Sequence, residues 1–97
     1  MALLESSGRI TFLRVHDIGI GFGPPTDFID VEVVIKLDTM PNNAFGFQLR
    51  NDDKRPARAG MLDLLRDAFS HNGTVLIDYN LNPGKVNGVI IRTALTR

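Results

Sequence analysis

The chain has 97 residues, no cysteine, and eleven basic residues against eleven acidic ones, so its formal net charge is zero. That length supports one domain with one core. Neutrality argues against a nucleic-acid binder, a polybasic membrane anchor or an acidic tail, and the lack of cysteine excludes a disulfide scaffold, a thiol nucleophile and a thiolate zinc site. The 43% apolar share is that of a globular chain. No apolar run approaches the ~20 residues of a membrane span. At the start, MALLESSGRI, Glu5 interrupts the apolar run of a secretory leader, so a cytoplasmic chain is expected. The whole of 1–97 reads as a single domain, with 1–8 as a flexible tail.

From Arg9 to Ile18 the residues alternate as a strand. Ile10 and Phe12 share a parity that shifts once before Leu13 and Val15, which implies a bulge. GIGFGPPTD, from Gly19 to Asp27, reads as a loop. Phe28 to Leu37 is the clearest strand. Ile29, Val31, Val33, Ile35 and Leu37 face one way and Asp30, Glu32 and Lys36 the other, with Val34 the apolar residue among them. Met40 to Ala44 reads as a turn, and Phe45, Phe47 and Leu49 as a third strand.

The period then changes. Pro56 suits a helix first turn, with Asp52 and Asp53 as candidate caps. Ala57, Met61, Leu62, Leu64, Leu65, Ala68 and Phe69 fill one arc of a helical wheel. Gly73, after Asn72, suits a left-handed terminator. Thr74 to Asn80 and Asn87 to Leu95 read as a hairpin pair, with Val89, Ile91 and Leu95 in phase on the last strand. The order strand, strand, strand, helix, strand, strand makes a mainly β fold with one helix. It matches the OB-fold, a five-stranded partly open barrel, ahead of an SH3-like barrel or an open sheet with one helix across it. In that arrangement the first strand pairs with the second and the fourth, and residues near Phe12 would meet Val75–Tyr79.

The run MLDLLRDAFSHNGTVLIDYN followed by GVIIRTAL resembles the helix–Gly–strand–hairpin half of small bacterial OB-fold proteins. Those include the B subunits of AB5 toxins, the subtilase-cytotoxin binding subunit among them. The matching residues are Gly73, Thr74, Val75, Ile77, Tyr79, Ile91, Thr93 and Leu95, over about the last 45 residues. The chain lacks those proteins' cysteine pair. The resemblance implies a binding subunit that self-associates, as a pentamer first and otherwise a dimer or tetramer, with a glycan or a protein surface as partner.

Catalysis is not expected, because no nucleophile–base–orienter set is visible. His16 and His71 lack further ligands, so neither a metal nor a cofactor is expected. The candidate ligand residues lie on the glycine-rich loop and the outward face of the second strand: Phe22, Asp27, Asp30 and Glu32. Asp30 and Glu32 stand where the phosphates of a single strand would run, which argues against the alternative of a nucleic-acid-binding OB-fold. The helix's apolar arc spans about 160°, wider than one core contact needs. The final strand is poorly protected as an edge, with Arg92 its one charge. Leu62, Asp63, Arg66, Val89 and Ile91 are therefore the candidate oligomer interface.

Overall fold

The computed structural model describes residues 2–96. Five strands form one sheet, with one helix between the third and fourth: β1 (Ala2–Val15), β2 (Val33–Leu37), β3 (Met40–Phe47), α1 (Arg55–His71), β4 (Thr74–Leu81) and β5 (Gly88–Thr96). The sheet closes on itself in the order β1-β2-β3-β5-β4. β1 makes that closure, because it serves two neighbours in turn. Its first half pairs antiparallel with β4, from Ala2↔Leu81 to Arg9↔Thr74, and its second half pairs with β2, from Ile10↔Leu37 to Val15↔Val33.

The tail expected over 1–8 is therefore, from Ala2 onward, ordered strand; Met1 lies outside the described residues. Local alternation is weak there, and the ladder offered by β4 supplies the backbone partners. The contacts expected near Phe12 shift accordingly. Phe12 faces Lys36, and Leu4–Gly8 face Tyr79–Val75. Gly8 marks the crossing between the two neighbours. A Cβ there would lie 2.6 Å from Asp38 Oδ1 in the β2–β3 turn. That turn is bound to the crossing by Thr39 Oγ1 donating to the Ser7 carbonyl (2.7 Å) and Arg9 N donating to Asp38 Oδ1 (2.9 Å).

Several boundaries differ from expectation. The β1 bulge is at Thr11, which the register skips, so Phe12 turns outward and Leu13 inward. β2 starts only at Val33, since 28–32 bend out of the ladder. Met40–Ala44, expected as a turn, belongs to β3, and the turn is Asp38–Thr39. Pro41 is tolerated because β3 carries four residues between the partners of Leu37 and Ile35, where β2 has one. Neither Asp52 nor Asp53 is the N-cap residue. Lys54 holds that position without a side-chain cap, and Asp52 Oδ1 accepts its N–H at 3.0 Å. Asn72 rather than Gly73 takes the left-handed turn (φ 54°), a conformation asparagine tolerates well.

The core fills the inside of the closed sheet. Ile10, Val33, Ile35, Leu37, Phe45, Phe47, Val75, Ile77, Tyr79 and Ile90 meet there, and Leu65 and Ala68 of α1 pack onto them. Phe45 and Tyr79 meet with their rings tilted at 58° and centroids 4.6 Å apart. On β5 the expected phase is broken. Tyr79 pairs with Ile90 and Asp78 with Arg92, so Ile91 is an unopposed bulge. Ile90 is buried, whereas Val89, Ile91 and Leu95 are exposed. Among the described residues no helix is long and apolar enough to cross a membrane.

Candidate functional site

The loop between β1 and β2, residues 16–32, folds back over the outer face of the sheet. Phe22 and Ile29 exchange both backbone hydrogen bonds, at 3.0 and 2.8 Å. Gly23 permits the return. Its φ is 108°, and a Cβ would sit 2.5 Å from the Asp27 carbonyl. The fold-back builds a second, smaller core outside the sheet from Ile29, Val31, Val34 and Ala44, flanked by Phe12 and Phe22. Val34, the apolar residue on β2's otherwise polar face, is the anchor. Gly46 makes room for Val31, since a Cβ there would lie 2.6 Å from Val31 Cγ2.

Asp27 bolts this loop to the β4–β5 loop. Its carboxylate accepts the N–H groups of Val86 (3.1 Å) and Asn87 (3.2 Å). Asn87 returns the contact, with Nδ2 donating to the Asp27 carbonyl (3.0 Å) and Oδ1 accepting from Ala44 N (2.9 Å). Both side chains are buried. Asp27 thus spends its acceptors inside the chain.

Asp30 and Glu32 also have an internal partner. Arg50 Nη2 donates to Asp30 Oδ1 at 2.6 Å, and its Nε and Nη2 donate to the two Glu32 oxygens at 2.8 and 2.9 Å. Glu32 Oε1 also accepts from Leu49 N at 3.1 Å. Expected to face outward, Glu32 is buried at 2% exposure, because the bend at 28–32 rotates it off β2's outer face. The Arg50 hydrogen bonds hold its carboxyl below the usual carboxylate range against the opposing effect of burial. The Leu49 N–H and the charge of Arg50 add to the lowering. Arg50 is in turn pushed above its ordinary value by the two carboxylates. His16 lies beside them. Its Nδ1 accepts from Arg14 Nε at 3.1 Å, so Nε2 carries the proton and donates to the Val31 carbonyl at 2.6 Å.

Phe22 does not stand free at the loop tip. It tilts against Phe12 (centroids 6.4 Å apart) beneath two cations. The Arg14 guanidinium carbon lies 5.0 Å from the Phe22 centroid. Lys36 Nζ lies 5.8 Å from that centroid and 5.7 Å from that of Phe12. Arg14, Arg50 and Asn87 are not among the residues expected at the site, and Lys36 is expected only as a charge on β2's outward face. Only Val34, out of place on a polar face, hinted at an outer cluster.

The expected interface residues divide. Leu62 packs onto the core of its own chain, and Asp63 and Arg66 pair with each other along the helix at 3.5 Å. Val89 and Ile91 are exposed and line a groove of about 380 Å³ with Ala57, Arg58 and Met61 of α1. At the other end of the helix a hollow of about 600 Å³ lies between Ala68, His71 and Leu95. β3 meets β5 only at Gly88 and Val89, so from Ile90 onward β5 has β4 as its one sheet neighbour. Thr93 lies between the two hollows in sequence, and its Oγ1 is buried without a hydrogen-bond partner. Among the described residues no three His, Asp or Glu converge as metal ligands. Comparison with protein-family models, with curated proteins and with solved structures returned no match.

Proposed function

We propose that the closed sheet is an OB-type barrel and that the chain is a non-enzymatic binding module that assembles with copies of itself through β5. The observation that carries this reading is the free edge of β5 from Ile90 to Thr96, where the backbone lacks a second neighbour. Protected edges carry charge, proline or a cover. This edge has α1 beside it and carries Arg92 as its one charge, and Arg92 is already paired with Asp78 at 2.7 Å. Exposed Ile91 and Leu95 stand along it, with exposed Val89 just before it, beside the hollows under α1. A strand from a second copy would complete the backbone pairing and cover that apolar surface. Of the four residues expected to meet a ligand, Asp27, Asp30 and Glu32 accept hydrogen bonds within the chain and Phe22 packs against Phe12, so the reading rests on β5.

Light scattering coupled to size exclusion tests it at micromolar concentration. A mass at a multiple of 10.7 kDa is expected. The double variant Ile91→Glu, Leu95→Glu should run as a monomer with its circular dichroism unchanged. Wild-type protein at 10.7 kDa at every concentration means that the assembly reading is abandoned.

A further inference from the structure

The outer face of β1 and β2 carries two cations, Arg14 and Lys36, stacked over aromatic rings. The register sets Phe12 opposite Lys36 and Arg14 opposite Val34, so Phe12, Arg14 and Lys36 share the outward side. The returning loop lays Phe22 among them. Both cations stand over this one ring, at 5.0 and 5.8 Å from its centroid. Diagonal neighbours on a strand pair are within reach of each other, so the two positive charges repel. Among the described residues no carboxylate lies within salt-bridge distance of either. By contrast Arg50, Arg58, Arg66 and Arg92 each have an acid. Arg14 spends Nε on His16 and Nη2 on the Gly21 carbonyl, which leaves Nη1 without a partner in the fold.

Of the acids near this face, Glu32 is buried and four have partners within the fold, while Asp17 on the same loop is exposed. Asp30 and Glu32 are held by Arg50, Asp27 by the N–H groups of the β4–β5 loop, and Asp38 by Arg9 N. Of the two acids expected on the outward face of the second strand, Glu32 is turned inward and Asp30 alone is exposed, paired with Arg50. We propose that this face binds the backbone of a single-stranded nucleic acid, with Arg14 and Lys36 contacting phosphates and the half-buried rings of Phe12 and Phe22 beside them as a platform for bases. Cations interleaved with aromatic rings on a sheet surface favour a single strand, whose bases are free to stack, over a duplex. Two phosphate contacts on a neutral protein make the binding weak and salt-dependent.

Fluorescence anisotropy with a labelled single strand of about 12 nucleotides, near 50 mM salt, is the test. Micromolar binding is expected, and Arg14→Gln with Lys36→Gln should weaken it about tenfold or more. That pair should also flatten the dependence of log affinity on log salt by about 1.4, since each phosphate no longer neutralised accounts for about 0.7. In the unaltered protein, amide shifts on titration should cluster at Thr11–Arg14, Gly21–Gly23 and Val34–Leu37. No binding at 100 µM, equal binding to a duplex, equal competition by inorganic phosphate, or shifts centred elsewhere would overturn the proposal.

Discussion

Replacing Asp27 by alanine tests whether the two loops at this end of the sheet form one rigid unit. The substitution removes an acceptor shared by Val86 N and Asn87 N, at 3.1 and 3.2 Å, in a side chain only 9% exposed. A hydrogen bond to a charged group contributes about 1.5–3 kcal/mol, and these two are at the long end of the distance range. Taking about 1.5 kcal/mol for each, the loss is about 3 kcal/mol, since neither N–H has another partner in the fold. For a domain of this size that lowers Tm by about 15 °C. Asn87→Ala removes the reciprocal hydrogen bonds, and the double variant should show a coupling of about 1 kcal/mol or more. Urea denaturation followed by circular dichroism gives all three values. Hydrogen exchange at the Asn87 amide adds a local readout, with protection lost in Asp27→Ala. A stability change below about 0.5 kcal/mol refutes the bolt, because that is the range of an ordinary surface substitution.

Gly46→Ala should destabilise by about 2 kcal/mol, since its Cβ would lie 2.5 Å from the Val33 carbonyl, a backbone atom that cannot swing away; an unchanged denaturation midpoint contradicts this. Phe45→Ala should cost about 3–5 kcal/mol by opening a cavity against Tyr79 at the centre of the closed sheet, again read by urea denaturation. Glu32 has a lowered folded-state pKa, so its contribution to stability is full above the ordinary carboxylate range and is lost as pH falls through the lowered value. Glu32→Gln should therefore bring the denaturation midpoints at pH 7 and pH 3 closer together than in the unaltered protein. An identical acid loss in both proteins would mean that the Arg50 contact does not couple to folding.

Element order was legible because periodicity is a local property. The alternation of Val33, Ile35 and Leu37 and the helical arc through Leu65 and Ala68 mark core faces that the structure retains. What escaped depends on partners distant in sequence. Ala2–Arg9 becomes strand because β4 lies beside it, a neighbour about 70 positions away. The bulges at Thr11 and Ile91 each reverse a face, so a one-residue offset turned Phe12 outward and exposed Val89. Glu32 was assigned by parity to the outer face, but parity holds only while the chain stays in the ladder, and the bend at 28–32 takes it out. Arg50 is 18 positions from Glu32, and no local pattern joins them. A neutral total likewise hid how the charges are sorted: Glu32 and Asp27 turn inward onto Arg50 and backbone N–H groups, while Arg14 and Lys36 stand half-buried over Phe22.

The sheet order separates the two proposed surfaces and gives a consequence neither has alone. β5 borders β3 and β4, and neither β1 nor β2 pairs with it, so joining copies through β5 leaves the face of Arg14 and Lys36 open on every subunit. Each copy would offer two weak phosphate contacts, and a strand long enough to reach a second copy would engage it at an effective concentration near the millimolar range. Affinity should then rise with oligonucleotide length more steeply than the number of overlapping sites requires. Between about 12 and about 40 nucleotides, a gain of the order of 100-fold is expected for the assembled protein. Ile91→Glu with Leu95→Glu should abolish that gain while leaving affinity for the short strand unchanged, because those residues lie on β5, away from the cations. Arg14→Gln with Lys36→Gln should lower affinity at both lengths while the mass in light scattering stays the same. Equal length dependence in the assembled protein and the β5 variant would mean that the nucleic-acid face works one subunit at a time.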